Sequence, residues 1–278
     1  MIVLKSSGDH TWPWSNTGDD AEDTFARTYA GIHGHMKPLQ ERLMKRQDKG
    51  RFWWELRSCD YYKKFEQPKI AHTDIMWRPQ FAFSKDATYL LNTAYVFPTT
   101  DLYLLAVLNS PLLWAFMWRN AQHGKDEALR IIRSFSETLP IAEPTPVIRT
   151  EVEQQVSEAL ELTGAAQTVS RELLEWLRIE LGIEKPGQRL AEYRSLTADD
   201  FATEIRKRRP KGARGLSPQD LSRLSEVHQE YAGPANARAA RLRKLELRIA
   251  ELVNKAYRLT AEDLELLRRT APPRTPAI

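Results

Sequence analysis

The sequence predicts an α+β protein: a small, mainly antiparallel sheet with packed helices, followed by an all-α helical tail domain. Three observations carry this. From Lys69 to Phe97 the pattern is extended and rich in β-branched and aromatic residues. Apolar residues before and after that stretch recur at helical spacing. At Glu143 the composition shifts through Pro144 and Pro146 into a chain that reads as helix nearly to its end.

In order, Ile2 to Leu4 suggests a short strand, and the acidic residues Asp19, Asp20, Glu22 and Asp23 open a helix from about Asp20, where carboxylates meet unpaired backbone N–H groups. Phe25, Tyr29 and Ile32 share one face of it. Pro38 starts a second run through Leu43 and Arg46, closed by Gly50. Strands are expected over residues 69–75, 80–83 and 89–97, with Ser84 to Ala87 as a hairpin turn. Asp101 caps a helix ending near Asn109, and Pro111 sits in the first turn of the next, where its missing N–H costs little. Trp114, Met117 and Trp118 are placed to face a core. In the tail, Thr150 is read as a cap, one helix stops at Gly182, and Thr197, Ser217 and Thr260 each stand three residues before an aspartate, the capping pattern. The helix from about Ala235 carries Leu242, Leu245, Ile249, Leu252 and Ala256 as a seam that packs within its own bundle. The expected domains are a lead-in over 1–30, an α+β domain over 31–143, a helical bundle over 150–270 and a disordered end over 271–278.

The 278 residues suffice for two domains with real cores. A single cysteine, Cys59, and an N-terminus without a basic-then-apolar leader lead to the expectation of a reducing, cytoplasmic setting. The longest apolar stretch, Leu102 to Trp118, is interrupted by Asn109, Ser110 and Pro111 and is too short to span a bilayer. Net charge is +4, but basic clusters lie at Lys37 to Arg51 and Arg206 to Arg214, which fits an anionic partner such as nucleic acid. The cluster Arg206 to Arg209 reads either as an extension of that footprint or as a solvated helix end. His33 and His35 point apart on a helix with no ligand-spaced partner, so they read as surface or capping histidines.

One succession of residues is more specific: Leu43, Arg46, Asp48, Gly50-Arg51; then Tyr61-Tyr62, Phe65-Glu66, Pro68-Lys69-Ile70; then Asp74-Ile75, Phe81, Asn92-Thr93 and Tyr95; then Tyr103 to Ala106, Leu108-Asn109-Ser110 and Leu112; finally Leu139-Pro140-Ile141. This order and spacing resembles the TaqI-like C-terminal specificity domain of adenine-specific DNA methyltransferases and of fused restriction-modification enzymes, over about residues 30 to 143. The helical tail, ending in Leu252 to Thr260, is similar to the segment on the C-terminal side of that domain in such enzymes.

The resemblance implies docking on duplex DNA and reading of a short target, while a separate domain flips and methylates the adenine, whose exocyclic amine is out of reach inside the base stack. On that footing Arg46, Lys49, Arg51, Lys63, Lys64 and Lys69 are the expected phosphate contacts, His72, Arg78 and Arg119 the candidate base-edge readers, and Arg130 and Arg133 further grips on the backbone. No glycine-rich loop comes after a first strand, and no Asn or Asp stands before paired prolines and an aromatic. Asn109-Ser110-Pro111-Leu112 lacks both of those features. The expectation is therefore a chain that binds and does not catalyse, with no metal, S-adenosylmethionine held by a methyltransferase partner, and a nuclease domain or subunit as a further partner. The competing expectation is a helical assembly protein of a defence system that does not read DNA.

Overall fold

A computed structural model describes residues 2–276. The chain divides into two compact units, residues 2–69 with 84–90 and residues 70–83 with 91–276.

The first unit holds four short helices, α1 (Ala21–Thr28), α2 (Ala30–Met36), α3 (Gln40–Met44) and α4 (Tyr62–Glu66). The helix expected from Asp20 does begin there, but it breaks at Tyr29, whose φ of −131° and ψ of 55° leave the helical region while its ring packs edge-on to Trp12 and Trp14. The run expected to reach Gly50 stops at Met44. Beyond it Gly50 approaches the chain so closely that a Cβ there would lie 2.5 Å from the Leu56 carbonyl oxygen, a contact only glycine avoids. The core is aromatic: Trp14 meets Phe25 edge-on at 5.0 Å, and Phe25 stacks on Trp54 at 5.0 Å. Glu55 is wholly buried in it, accepting hydrogen bonds from Trp14 Nε1 at 2.8 Å, Ser7 Oγ at 3.2 Å and Phe52 N at 3.3 Å. Glu22 accepts from Trp53 Nε1 and pairs with His33 and Lys37. Burial alone raises its pKa, but these three partners outweigh burial and hold the carboxyl at about 2.

The second unit contains two three-stranded sheets. β1 (Lys69–Thr73), whose first residue belongs to the first unit, lies between β3 (Ala82–Ser84) and β4 (Ala94–Pro98). The strand expected over 89–97 is therefore confined to its second half, and Ser84 to Ala87 does not join two hairpin neighbours, because β1 separates β3 from β4. Residues 84–90 instead belong to the first unit, where Thr88 N donates to the Phe65 carbonyl at 3.1 Å and Tyr89 OH to Glu66 Oε1 at 2.6 Å.

Two helices come next: α5 (Leu102–Leu108), capped by Asp101, and α6 (Pro111–Asn120), capped by Ser110 with proline in its first turn. Trp114 and Met117 are fully buried as the periodicity required. The second sheet is an antiparallel ribbon in the order β2 (Ile75–Met76), β6 (Leu129–Arg130), β5 (Gln122–His123). A short helix, α7 (Arg133–Ser136), succeeds it.

The tail is an antiparallel helical hairpin, α8 (Pro146–Leu181) against α11 (Pro218–Ala256), pinned by Arg241 to Glu158 at 2.6 Å and Arg248 to Glu151 at 2.6 Å. Thr145, not Thr150, caps α8, since Pro146 then occupies the first helical position, where no N–H is needed. The run expected after Thr150 and the helix expected to stop at Gly182 are one continuous helix that passes through Gly164. A helix-interior glycine costs about 1 kcal/mol, less than the packing gained by burying Val152 and Val156 at one end and Leu173 and Leu177 at the other. Likewise α11 begins at Ser217 with a full capping box and runs through Pro234 instead of starting near Ala235, because Ala232 and Ala235 on either side are buried. The short α9 (Gly187–Ala191) and α10 (Ala198–Arg208) close the far end of the hairpin around Phe201 and Ile205. After α12 (Ala261–Arg269), Pro272 is buried and the Pro273 carbonyl accepts Trp114 Nε1 at 3.0 Å. Residues 277 and 278 of the end expected to be disordered lie outside the described residues.

Among the described residues no single helix is long and apolar enough to cross a membrane. α5 and α6 reach that length only together, bent by 57° and largely buried in the core.

Candidate nucleic-acid interface

The ribbon in the second unit sorts its residues by face. Its register sets Ile75, Arg130 and Gln122 side by side in one row and Met76, Leu129 and His123 in the next. Because side chains alternate across a strand, the two rows face opposite ways. Met76 and Leu129 are fully buried and anchor the ribbon, His123 at the end of their row is exposed beside Trp118, and Ile75, Arg130 and Gln122 meet solvent. The chain leaves β2 through Trp77 and Arg78, both exposed, with Trp77 retaining 42 % of its surface. At the other end the β5–β6 turn is closed by Gly124 N donating to the Ala128 carbonyl at 2.7 Å. It presents Lys125, and both Asp126 (φ 56°) and Glu127 (φ 60°) are left-handed, an uncommon conformation for these residue types.

Two arginines, Arg130 on the ribbon and Arg133 at the start of α7, are paired with carboxylates yet stay open to solvent. Arg130 reaches Asp74 at 3.5 Å with its side chain still 52 % exposed, and Arg133 donates to Glu137 at 2.7 Å while remaining 81 % exposed. Arg78 makes no ion pair among the described residues. Arg133's pKa is raised, first by that hydrogen bond, so its charge is permanent. An exposed indole, an aliphatic side chain and cations on one ribbon match what duplex DNA offers: phosphates for guanidinium groups, base edges for a bidentate fork, and thymine methyls for apolar contact.

His72 and Arg119, the other expected base readers, stand elsewhere. His72 is buried, stacked beside Tyr95 and Phe97 at 5.5 and 5.4 Å. Its Nδ1 donates to the Thr73 carbonyl at 3.0 Å, its Nε2 has no partner, and burial lowers its pKa, so it sits in the core as a neutral ring. Arg119 donates to Ala115 O at 2.8 Å and to Thr270 O and Oγ1 at 3.0 and 2.8 Å, tying α6 to the end of α12. Asn109 and Ser110 are structural: Asn109 exchanges hydrogen bonds with the Phe81 backbone at 3.1 and 2.9 Å, and Ser110 caps α6.

Within the first unit the expected phosphate contacts divide in the same way. Lys69 is fully buried and donates to the Gln67 and Asp86 carbonyls at 2.9 and 2.7 Å, with burial lowering its pKa. Arg46 is spent on the carbonyls of Leu43, Trp53 and Glu55. Arg51 donates to Ser15 O at 2.9 Å and Lys49 to Met44 O at 2.7 Å, both with exposed side chains. Lys63 and Lys64 project from α4 into solvent. His33 is engaged by Glu22, and no cluster of three metal-type ligands forms among the described residues.

Sequence reasoning passed over Ile75, Gln122, Lys125 and Trp77 as a surface. The Gly124-Lys125 turn between two short apolar segments was the available signal for the hairpin, but its pairing with β2 is a long-range contact that no local pattern encodes.

The second unit thus carries an exposed ribbon with basic and aromatic residues on an α+β core that continues into a helical hairpin. Residues 35–141 match the family model described as the TaqI-like C-terminal specificity domain, and this match supports a DNA-methyltransferase specificity role in general. Residues 145–253, the helical hairpin with its closing helices, match a domain of unknown function, DUF8810. No curated protein and no solved structure matches the chain.

Proposed function

We propose that this chain reads a short duplex DNA sequence as the specificity part of an adenine-specific methyltransferase or restriction-modification enzyme. A separate methyltransferase domain or subunit holds S-adenosylmethionine and performs the transfer in the cytoplasm. The observation that carries this reading is the solvent-facing row Ile75, Arg130 and Gln122, continued by Trp77 and Arg78, inside a segment that matches a specificity domain. Arg78 and Arg130 are the base-edge candidates. Arg133, Lys125, Lys63, Lys64, Arg51 and Lys49 are assigned to phosphates, which fix register and supply the salt-dependent part of affinity. Lys69, His72, Arg46 and Arg119 serve as scaffold in this reading, since their polar groups are buried or already occupied.

The test is binding of the full chain to duplex oligonucleotides at low salt, alone and with a methyltransferase encoded beside it. Saturable binding that weakens steeply as salt rises supports the reading. Absence of binding in both arms refutes it and leaves the helical assembly alternative.

A further inference from the structure

The far end of the helical hairpin carries a charge arrangement that the specificity domain does not explain. From Glu204 to Arg214 the chain holds six cationic side chains and one carboxylate. That carboxylate, Glu204, is 4 % exposed and gathers three cations from two helices: Lys207 at 2.9 Å and Arg208 from its own helix, and Arg189 at 3.4 Å from α9. Gly187 makes room for this. Its φ is +67°, and a Cβ there would meet Arg208 Nη2 at 3.0 Å, so a side chain at that position would push the guanidinium away.

One carboxylate neutralises one cation, so two of the three charges are left over. Lys207 and Arg189 keep more than half of their side-chain surface in water. The last turn of α10 favours cations through its carbonyl ends. That accounts for Arg206 to Arg208 but not for Arg189 or Lys211, which lie outside the turn, nor for Arg214, which pairs with Asp220 at 3.1 Å while its side chain stays 80 % exposed. Arg209 adds its Nη1 to the Arg214 carbonyl at 2.7 Å, fixing the loop that carries Lys211 and Arg214, and its buried Nε has no partner. Like charges gathered in this way repel one another, and a polyanion relieves that repulsion while releasing its own counterions.

We propose that the α9–α10 end of the hairpin is a second, sequence-independent contact for the phosphate backbone of duplex DNA flanking the target. Along α8, from Val156 in the core cluster shared with α5 to Leu177 in the cluster shared with α10, the helix rises about 32 Å, so this end stands well away from the core beside α5. The inference rests on the duplex-DNA reading of the specificity domain and adds to it a site on the segment of unknown function.

The test uses the full chain and random-sequence duplexes of 12, 24 and 36 base pairs, measured by fluorescence anisotropy. A triple variant, Arg206→Gln, Lys211→Gln and Arg214→Gln, leaves the Glu204 cluster intact. A control, Arg243→Gln, Lys244→Gln and Lys255→Gln, removes the same charge from exposed positions on α11. Circular dichroism verifies that both remain folded. The wild type and the control gain affinity from 12 to 36 base pairs beyond the statistical factor, and the tip variant loses that gain with a salt slope lower by about 0.9 for each lost contact. Equal behaviour of the tip variant and the control, or a wild type with no length dependence, overturns the inference while leaving recognition of the target standing. A wild type that binds no random-sequence duplex at any length overturns the inference, and the recognition reading falls with it only when the chain together with its methyltransferase also binds no duplex.

Discussion

Neutralising the ribbon face isolates its contribution. In the triple variant Arg78→Gln, Arg130→Gln and Arg133→Gln, the three side chains keep much of their size and hydrogen bonding but lose charge. None is buried, and the ion partners Asp74 and Glu137 are reached from exposed guanidinium groups, so the fold has little to lose. Each duplex phosphate contact contributes about 0.9 to the slope of log affinity against log salt, so loss of the Arg133 contact lowers that slope by about 0.9, while loss of Arg78 and Arg130 removes base-edge contacts. Between roughly 50 and 200 mM salt the wild type should therefore weaken about three- to four-fold more than the variant. Anisotropy titrations of a labelled duplex across a series of salt concentrations read this directly, with thermal unfolding as the control. A slope unchanged by the substitutions, in a variant that unfolds with the wild type, would show that these arginines face no DNA and refute the placement of the interface.

Three further outcomes are expected from the buried groups and from the missing motifs. Glu55→Ala strips the Trp14 indole and the Phe52 amide of their acceptor and opens a void in an aromatic core, so the first unit should lose about 3 kcal/mol, read by denaturant titration with tryptophan fluorescence; a loss below about 1 kcal/mol would contradict the assigned role. His72 has its pKa lowered by burial, so the unfolded chain binds the proton first and stability falls as pH drops below about 6.5 towards the folded value; His72→Phe should flatten the stability profile between roughly pH 7 and 5, and an unchanged slope would count against a neutral core histidine. Isothermal titration of the chain alone with S-adenosylmethionine should show no saturable binding, and a micromolar site would overturn the division of labour between this chain and a catalytic partner.

The features legible in advance were those set by short-range interactions. Asp101, Thr197, Ser217 and Thr260 cap the helices they were expected to cap, because a cap joins residues three positions apart. The order β3-β1-β4 and the register of Arg130 against Ile75 join segments tens of residues apart, and no local pattern encodes them. The same limit governs the site. A lysine or histidine in a loosely alternating strand reads as a solvent-facing charge, yet Lys69 is drawn inward by two carbonyls and His72 by three aromatic rings. Arg130 is exposed because it alternates with the buried Leu129 along its strand, and Arg78 is exposed because the chain has already left β2 at Met76.

The most direct measurement is selection of bound duplexes from a randomised pool by the full chain together with its methyltransferase partner, followed by sequencing. The structure leads us to expect enrichment of one short motif that is lost or relaxed at one position when Arg78 or Arg130 is replaced by Gln. It also leads us to expect the same motif, bound more weakly, in the tip variant. Recovery of duplexes without any enriched sequence, or a motif that ignores both arginines, would contradict the claim that this ribbon reads DNA.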